Sequence, residues 1–218
     1  MRAVVIGASG GIGAALANAL AEEDADVVRL SRPDLDLTDE ATIAAAAARV
    51  GTPELVIVAT GMLHRDGCGP EKSIRELDPA WLAEQYAVNA IGPAIVAKHF
   101  LPIMPRTGRS VFAVLSARVG SIGDNRLGGW YGYRAAKAAL NQLVRTLSIE
   151  DKRRNDRGIV VALHPGTVDT GLSKPFQQSG RDLFRPDRAA VQLLDVIDGL
   201  KPTDSGRHFA WDGAEIPA

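Results

Sequence analysis

The sequence predicts a single α/β domain built on a doubly wound parallel sheet with helices on both faces. Short runs of consecutive apolar residues, typical of strands buried on both sides, alternate along the chain with longer segments of helical periodicity. A glycine-rich turn joins the first apolar run to the first helical segment. Apart from one alanine-rich helical segment, no linker, repeat or low-complexity block divides the chain, so residues 1–218 are expected to form one domain.

Composition excludes several classes of function. A net charge of -1 gives no basic surplus for binding nucleic acid or an acidic membrane. No apolar run approaches the roughly 18 to 20 residues of a membrane span, and a strand that begins at Arg2 leaves no room for a signal peptide. Cys68 is the only cysteine, which excludes an internal disulfide, and the histidines lack metal-ligand spacing. We therefore expect a soluble cytoplasmic protein without a metal ion.

The first turn lies between a buried strand, Arg2 to Ile6, and an alanine- and leucine-rich helix, Ala14 to Glu23. Its sequence is Gly7-Ala-Ser-Gly-Gly-Ile-Gly13. Glycines at such a turn let the backbone approach a pyrophosphate, whose charge is met by N–H groups at the helix N-terminus. The turn predicts a dinucleotide site of the Rossmann type, and the alternative is a tight turn that merely requires glycines.

The second strand, Asp26 to Leu30, ends in Ser31-Arg32-Pro33. In dinucleotide folds an acidic residue at this place binds the adenosine ribose, whereas an arginine accommodates a 2′-phosphate. Arg32 therefore favours NADPH, although Asp34 leaves NADH possible and Arg32 could be an ordinary surface residue. Asp36-Leu37 follows so closely that we expect the crossover helix before a third strand to be missing or vestigial, with Leu55 to Ala59 as the fourth strand. Thr38 or Asp39 is expected to cap the helix that ends near Val50.

A long apolar helix is predicted from Pro79 to about Met104, interrupted by Gly92-Pro93. Because proline has no N–H, Pro93 cannot donate to the carbonyl of Asn89 four residues earlier. That carbonyl needs another partner, for which a water is the natural choice; the alternative is a packing kink in which Asn89 is incidental. The preceding segment, Met62 to Asp78, is predicted to be irregular structure beside the site.

The remaining elements complete the alternation. Ligands of open parallel sheets bind outside the carboxyl ends of the strands, so the loops at 116–122 and 164–170 belong to the predicted site. The segment from Gly171 to Arg185 has no clear period and is a possible substrate lid. The predicted strands are Ser110 to Leu115, Ile159 to Leu163 and Arg207 to Ala210, and a final helix spans Ala189 to Leu200.

Tyr133 and Lys137 stand four residues apart in a segment of helical periodicity, Gly129 to Glu150. This spacing places the phenol and the ammonium on one helix face. A free tyrosine, with a pKa of about 10, is a poor proton donor at neutral pH, and an adjacent positive charge lowers that pKa. The pair is a candidate general acid, and the alternative is a packed tyrosine beside a solvated charge.

Together these residues resemble the short-chain dehydrogenase/reductase family over the whole chain. The glycines of the first turn, Asn89, the Tyr133–Lys137 pair and Pro165-Gly166 occur in the family's order and at about its spacing. The sequences Arg-Val-Gly-Ser-Ile and Gly-Gly-Trp-Tyr-Gly-Tyr-Arg-Ala-Ala-Lys-Ala-Ala-Leu-Asn are most similar to the branch of carbonyl reductases related to the bacterial C-factor signalling protein.

The resemblance implies a role for each matching residue. Tyr133 would protonate the substrate carbonyl, Lys137 would hold the nicotinamide ribose and lower the pKa of the tyrosine, and the Asn89 carbonyl would bind a water of the proton relay. Both Asn89 and Tyr133 would also border the cofactor. The other implied cofactor contacts are Gly7, Ser9, Gly10, Gly11, Ile12 and Gly13 at the pyrophosphate, Arg32 at the 2′-phosphate, Asp36 and Leu37 at the adenine, Ala59, Thr60 and Gly61 after the central strand, and Pro165, Gly166, Val168 and Thr170 at the nicotinamide.

Two positions depart from the family pattern. The usual Asn-Asn-Ala-Gly is replaced by Val58-Ala59-Thr60-Gly61. The serine that orients the substrate carbonyl falls on Ala117, which cannot form a side-chain hydrogen bond. We expect Ser116 to substitute for it as a catalytic residue, or alternatively Ser121.

The sequence thus predicts an NADPH-dependent oxidoreductase, with NADH as the alternative cofactor, that reduces an aldehyde or ketone to an alcohol. The competing hypothesis, based on Ala117, is a catalytically weak or inactive cofactor-binding regulatory or signalling protein. The resemblance also implies a homodimer or homotetramer assembled through the helices at 79–104 and 129–150.

Overall fold

The computed structural model describes residues 1–65, 68–176 and 183–218. Six parallel strands form one sheet in the order β2-β1-β3-β4-β5-β6. The strands are β1 Arg2–Ile6, β2 Asp26–Leu30, β3 Leu55–Val58, β4 Ser110–Leu115, β5 Gly158–His164 and β6 His208–Ala210. The helices are α1 Gly11–Glu22, α2 Glu40–Arg49, α3 Pro79–Tyr86, α4 Gly92–Phe100, α5 Tyr131–Asp151 and α6 Pro186–Gly199.

Strand residues alternate between two cores, one on each face of the sheet. Val4, Val56 and Phe112 pack with α2, α4 and α5 on one face, while Val5 and Ile57 pack with α1 and α6 on the other. Because both faces are covered, the strands are apolar throughout rather than alternating in polarity. The predicted doubly wound α/β fold is confirmed.

The prediction of a third strand near Asp36-Leu37 is wrong. No helix lies between β2 and Asp36, as expected, but residues 36–39 form a turn in which the Asp36 carboxylate accepts the N–H and hydroxyl of Thr38 at 2.8 and 2.7 Å. Asp39 then caps α2 by accepting the N–H of Ala41 at 3.0 Å. Consequently α2 is the crossover helix between β2 and β3, Leu55–Val58 is the third strand rather than the fourth, and β2 is an edge strand.

Other boundaries differ by a few residues. The last helix begins at Pro186 instead of Ala189, because proline is well suited to a first helical position. The predicted long helix at 79–104 consists of α3, a π-helix at Ala87–Ile91, α4 and a 3₁₀ turn at Leu101–Ile103. Further 3₁₀ turns lie at Ile74–Glu76, Arg118–Gly120, Lys174–Phe176 and Pro202–Asp204.

Part of the predicted lid lies outside the described residues, namely 177–182, as do residues 66 and 67 of the loop before α3. Among the described residues, no helix combines the length and apolarity needed to cross a membrane. Within the same residues, no three histidine, cysteine or carboxylate side chains come together as a group that could hold a metal ion.

Candidate active site

The glycine turn connects β1 to α1 and forms a cradle at the carboxyl edge of the sheet. Gly7 has a φ of +88°, and a Cβ there would lie 2.8 Å from Thr60 Cγ2. A Cβ at Gly13 would collide with the carbonyl oxygen of Gly7, so only glycine permits this approach of helix to strand. Gly10 caps α1 without a side-chain hydrogen bond, which leaves the first helical N–H groups available for an anion.

Thr60 lies at the edge of this cradle. Its Oγ1 is buried and has no hydrogen-bond partner among the described residues. Such a group is costly unless something satisfies it. An orphaned hydroxyl, a cradle too tight for any Cβ and an uncapped helix N-terminus together fit the pyrophosphate and neighbouring ribose of a dinucleotide.

The end of β2 lies next to the cradle, as the cofactor assignment requires. The Ser31 hydroxyl accepts the N–H of Ser9 at 3.0 Å, which ties this strand end to the glycine turn. The pKa of Asp36 is lowered, mainly because its carboxylate accepts hydrogen bonds from Thr38, with a smaller contribution from the charge of Arg32. Arg32 directly follows Ser31 and is exposed, and its charge acts on Asp36.

Leu37 packs against Gly92, the first residue of α4. A Cβ at Gly92 would lie 2.7 Å from the Leu37 Cβ and 2.9 Å from its carbonyl oxygen. Gly92 is therefore needed for close packing of the turn at 36–38. The Gly92-Pro93 interruption thus has a packing cause in addition to its effect on the hydrogen bonds of the helix.

The helix widens at Asn89, within the π-helical turn. Gly92 donates its N–H to the carbonyl of Ala87, five residues earlier, and π-turns of this kind are frequent at functional sites. The Asn89 side chain is fully buried and clamps the loop after β3: its Oδ1 accepts the Met62 N–H at 2.9 Å, and its Nδ2 donates to the Met62 carbonyl at 2.8 Å. Asn89 is therefore not incidental, and the role of its main-chain carbonyl stays a prediction.

Tyr133 and Lys137 lie one turn apart on the buried face of α5, with 8% and 2% exposure. Lys137 Nζ donates to the Leu115 carbonyl at the end of β4 at 2.9 Å and lies 5.8 Å from the centroid of the Tyr133 ring. A Cβ at Gly61 would lie 3.5 Å from Asn89 Oδ1 and 3.9 Å from Lys137 Nζ. The structure thus brings Gly61, Asn89, Tyr133 and Lys137 together.

Burial dominates the electrostatics of this pair. It raises the pKa of Tyr133 and lowers the pKa of Lys137 to about 7. Burial therefore opposes the lowering of the Tyr133 pKa that was expected from Lys137, because removal from water disfavours both charged forms. A raised pKa keeps the proton on Tyr133 at neutral pH, and hydrogen-bond acceptors brought to Nζ would favour the ammonium form of Lys137.

The serines proposed to replace the missing hydroxyl have other partners. Ser116 is buried and donates its hydroxyl to Asn141 Oδ1 at 2.7 Å. Ser121 is 1% exposed and accepts the N–H of Asp124 at 3.0 Å. Ala117 itself is half-buried. To donate to a substrate, Ser116 would first have to release Asn141.

Asn141 and His208 are polar neighbours of the site that the sequence analysis missed. Asn141 Nδ2 lies 3.5 Å from His208 Nδ1, and burial lowers the pKa of His208 to about 3, so the imidazole is neutral at pH 7. The spacing of positions 133, 137 and 141 places Asn141 on the same helix face as the pair, a signal that was present in the sequence.

The loop after β5 closes the far side of the cradle. Pro165 and Val168 are buried, and Val168 packs with Phe184 and Ile12. A Cβ at Gly11 would lie 2.8 Å from Thr170 Cγ2, so this loop touches the glycine turn. Gly166, with a φ of +78°, makes room for the rings of Phe184 and Trp211. The predicted nicotinamide residues therefore lie in one loop that borders the predicted pyrophosphate residues.

Known proteins share both the sequence pattern and the architecture. A family model described as enoyl-(acyl carrier protein) reductase matches residues 34–194. The C-signal of Myxococcus xanthus is 37% identical over 146 residues, which cover 66% of this chain and 83% of that protein. The 1-hydroxy-2-glutathionyl-2-methyl-3-butene dehydrogenase of Rhodococcus sp. (strain AD45) is 30% identical over 224 residues, 96% of each chain. The NADPH-bound carbonyl reductase from chicken fatty liver superposes with a TM-score of 0.84 at 26% identity, covering 100% of this chain and 94% of that one.

Proposed function

The chain belongs to the short-chain dehydrogenase/reductase family of oxidoreductases, and from that premise we propose that it reduces an aldehyde or ketone with NADPH, with Tyr133 as the proton donor. The observation that carries the proposal is the convergence of buried Tyr133, Lys137 and Asn89 beside the glycine cradle. Two comparisons agree with it, since one relative is a dehydrogenase and one structural neighbour is a carbonyl reductase that binds NADPH.

Each residue has a defined task in this mechanism. A nicotinamide cofactor held at the cradle would supply the hydride for the carbonyl carbon. The Tyr133 hydroxyl donates its proton to the carbonyl oxygen, and a positive charge on Lys137 beside it would offset the effect of burial, which raises the tyrosine pKa and weakens it as an acid. Lys137, which donates to the Leu115 carbonyl, would bind the nicotinamide ribose hydroxyls. Asn89 fixes the loop at Met62, which borders the same space.

The proposed preference for NADPH depends on Arg32. We expect Arg32→Asp to lower NADPH affinity relative to NADH by about tenfold or more, because it removes a charge-assisted contact and adds a repulsive carboxylate next to the 2′-phosphate. The dissociation constants of both cofactors, measured by fluorescence titration, test this. Arg29→Asp is the matched control, because Arg29 lies on β2, three residues before Arg32, and its side chain binds Asn18 at 2.8 Å. An unchanged NADPH to NADH ratio in Arg32→Asp would contradict the assignment.

The absent hydroxyl at Ala117 gives the second prediction. We expect Ala117→Ser to increase turnover by up to about a hundredfold, the usual value of one well-placed donor to a developing oxyanion. The assay is NADPH oxidation over a panel of small aldehydes, ketones and quinones, with the wild-type chain run beside the variant. Ser116→Ala is run in parallel, because it removes the hydroxyl held by Asn141. Loss of turnover in Ser116→Ala would assign the donor role to Ser116.

The same assay tests the competing function. A regulatory or signalling protein that binds the cofactor without turnover is favoured by Ala117, by the engagement of Ser116 with Asn141, and by the relative named C-signal. Under this alternative the wild-type chain binds NADPH but oxidises it with none of the carbonyl compounds. Wild-type turnover would exclude it, and activity that appears only in Ala117→Ser would support it.

A further inference from the structure

Three aromatic side chains form a wall on one side of Tyr133. The Trp130 ring lies 6.3 Å from the Tyr133 ring and 5.5 Å from the Phe176 ring, each time edge to face. Phe176 in turn lies 5.5 Å from the His64 ring. All three are only half-buried, so parts of their rings are open to a ligand. We call His64, Trp130 and Phe176 the aromatic wall.

The wall joins segments from three parts of the chain. His64 belongs to the loop after β3, Trp130 directly precedes α5, and Phe176 ends a 3₁₀ turn after β5. His64 Nε2 lies 3.2 Å from the carbonyl oxygen of Gly171, which links the first and last of these segments. The wall is therefore held by contacts within itself, immediately next to the proposed proton donor.

The backbone leading to Trp130 has an unusual conformation. Gly128, Gly129 and Trp130 have φ values of +64°, +64° and +53°, three successive residues in the left-handed region. Glycine tolerates this conformation, whereas a tryptophan adopts it only when its surroundings impose it. Arg134 holds the two glycines from one side by donating its Nε to their carbonyl oxygens at 3.3 and 3.0 Å.

Glu71 holds the backbone at Trp130 and Gly132. Its main-chain carbonyl accepts the Trp130 N–H at 2.5 Å, and its Oε2 accepts the Gly132 N–H at 3.1 Å. These N–H groups lie at the start of α5, where the helix supplies no partners and favours a negative charge. Glu71 is 2% exposed, and its Oε1 has no hydrogen-bond partner among the described residues. A carboxylate is rarely buried in this way without a positional reason.

Gly132 makes this contact possible. A Cβ at this position would lie 2.8 Å from Glu71 Oε1 and 3.0 Å from Leu82 Cδ2. A residue inside α5 is thus kept without a side chain so that the carboxylate can reach the helix start. The contact fixes both residues that flank Tyr131 and, through Trp130, the ring beside Tyr133.

We propose that the aromatic wall binds a flat apolar substituent of the carbonyl substrate, and that Glu71 is the positioning residue that keeps Trp130 in the wall. The substrate class is an aryl aldehyde or aryl ketone, because exposed ring edges and faces favour offset or edge-to-face packing with another ring. This inference rests on the proposed function for the carbonyl group and adds which carbonyl compounds the site selects.

The kinetic test compares benzaldehyde with acetaldehyde. Trp130→Ala is expected to lower kcat/KM for benzaldehyde about tenfold more than for acetaldehyde, mainly through KM, with the NADPH dissociation constant unchanged. Glu71→Ala removes the contact with the Gly132 N–H but keeps the main-chain bond to Trp130, and it is expected to give a smaller loss of the same selectivity. Glu71→Gln is expected to retain the selectivity, since the amide oxygen still accepts the Gly132 N–H. Equal losses for both aldehydes in Trp130→Ala, or unaltered selectivity in a folded Glu71→Ala protein, would overturn the proposal.

A second pair of variants covers the case in which Glu71→Ala does not fold. Gly132→Ala should lower aryl selectivity in the wild-type background by displacing the carboxylate. It should have little further effect on selectivity in Trp130→Ala, where the wall is already broken. Equal effects in both backgrounds would assign Gly132 a purely helical role and contradict the link between Glu71 and the wall.

Binding without turnover separates this inference from the proposed function. In Trp81→Phe/Trp211→Phe, Trp130 is the only tryptophan, so its fluorescence reports ligands at the wall. With NADP⁺ present, benzamide, which is not reduced, is expected to quench this emission saturably, whereas acetamide is not. Quenching without carbonyl reduction would retain the wall and refute the proposed reaction. Carbonyl reduction without benzamide binding would support the proposed reaction and refute the binding role of the wall.

Discussion

Tyr133→Phe is expected to lower carbonyl reduction by about a thousandfold, within the range of 10² to 10⁴ for loss of a general acid, and to leave NADPH affinity within about twofold. The substitution removes the hydroxyl and retains the ring that packs against Trp130 at 6.3 Å and beside Lys137 Nζ at 5.8 Å. Turnover is measured by NADPH oxidation with the best substrate of the panel, and affinity by fluorescence titration. Because the ring remains, a loss of turnover can be attributed to the proton.

Tyr131→Phe is the matched control for this experiment. Tyr131 is two residues away on the same helix but is 40% exposed, and its position turns it away from Lys137. Loss of the Tyr131 hydroxyl should leave turnover and NADPH affinity unchanged. Full activity in Tyr133→Phe, or an equal loss in both variants, would show that Tyr133 is not the proton donor.

The architecture could be predicted because its signals are local. Continuous apolar runs such as Leu55–Val58 have to be buried on both faces, and parallel strands connected by helices meet that condition. The Asp39 cap and the spacing of Tyr133 and Lys137 were likewise readable from neighbouring residues. The error at Asp36-Leu37 has a local cause too: Asp36 satisfies the backbone of its own turn through Thr38, and this competes with strand pairing.

The environment of the site could not be predicted, since it depends on contacts between distant residues. Burial lowers the pKa of Lys137 and raises that of Tyr133, and a helical spacing of four residues does not show how deeply either side chain is buried. The engagement of Ser116 with Asn141 joins residues 25 positions apart, and that of Glu71 with Gly132 joins residues 61 apart. A buried glutamate in a polar loop has no sequence signature, because most such residues are solvated.

The two departures from the family pattern lie in neighbouring parts of the site. In the first, Val58 and Ala59 stand where the family has two asparagines, and the hydroxyl of the following Thr60 is buried without a partner among the described residues. In the second, Ala117 stands in the loop after β4 where the family has a serine hydroxyl. The first change alters the hydrogen-bonding groups beside the predicted cofactor residues, and the second removes one beside the predicted substrate carbonyl. Cofactor binding and turnover can therefore vary independently in this chain, which is why the proposed experiments measure both.

Gly13→Ala is expected to abolish measurable NADPH binding and to destabilise the fold by about 3 kcal/mol, the upper part of the range for overpacking. The added Cβ would collide with the Gly7 carbonyl oxygen and would lie 2.8 Å from the Gly7 carbonyl carbon and 3.2 Å from the Ala8 nitrogen. These are backbone atoms, so no side chain can move aside, and α1 must separate from the end of β1. That separation destroys the cradle for the pyrophosphate.

Thermal unfolding and cofactor titration check this result together. For a chain of this size, 3 kcal/mol corresponds to a fall in Tm of about 10 °C. Gly10→Ala is the control within the same turn: Gly10 has ordinary extended angles, and a Cβ there would lie 3.4 Å from the nearest atom, the Gly7 carbonyl oxygen. Its Tm should change by no more than about 2 °C. A similar fall in both variants would mean that the turn only needs glycine for flexibility, whereas a fall confined to Gly13→Ala would show that the close approach of α1 to β1 builds the cofactor site.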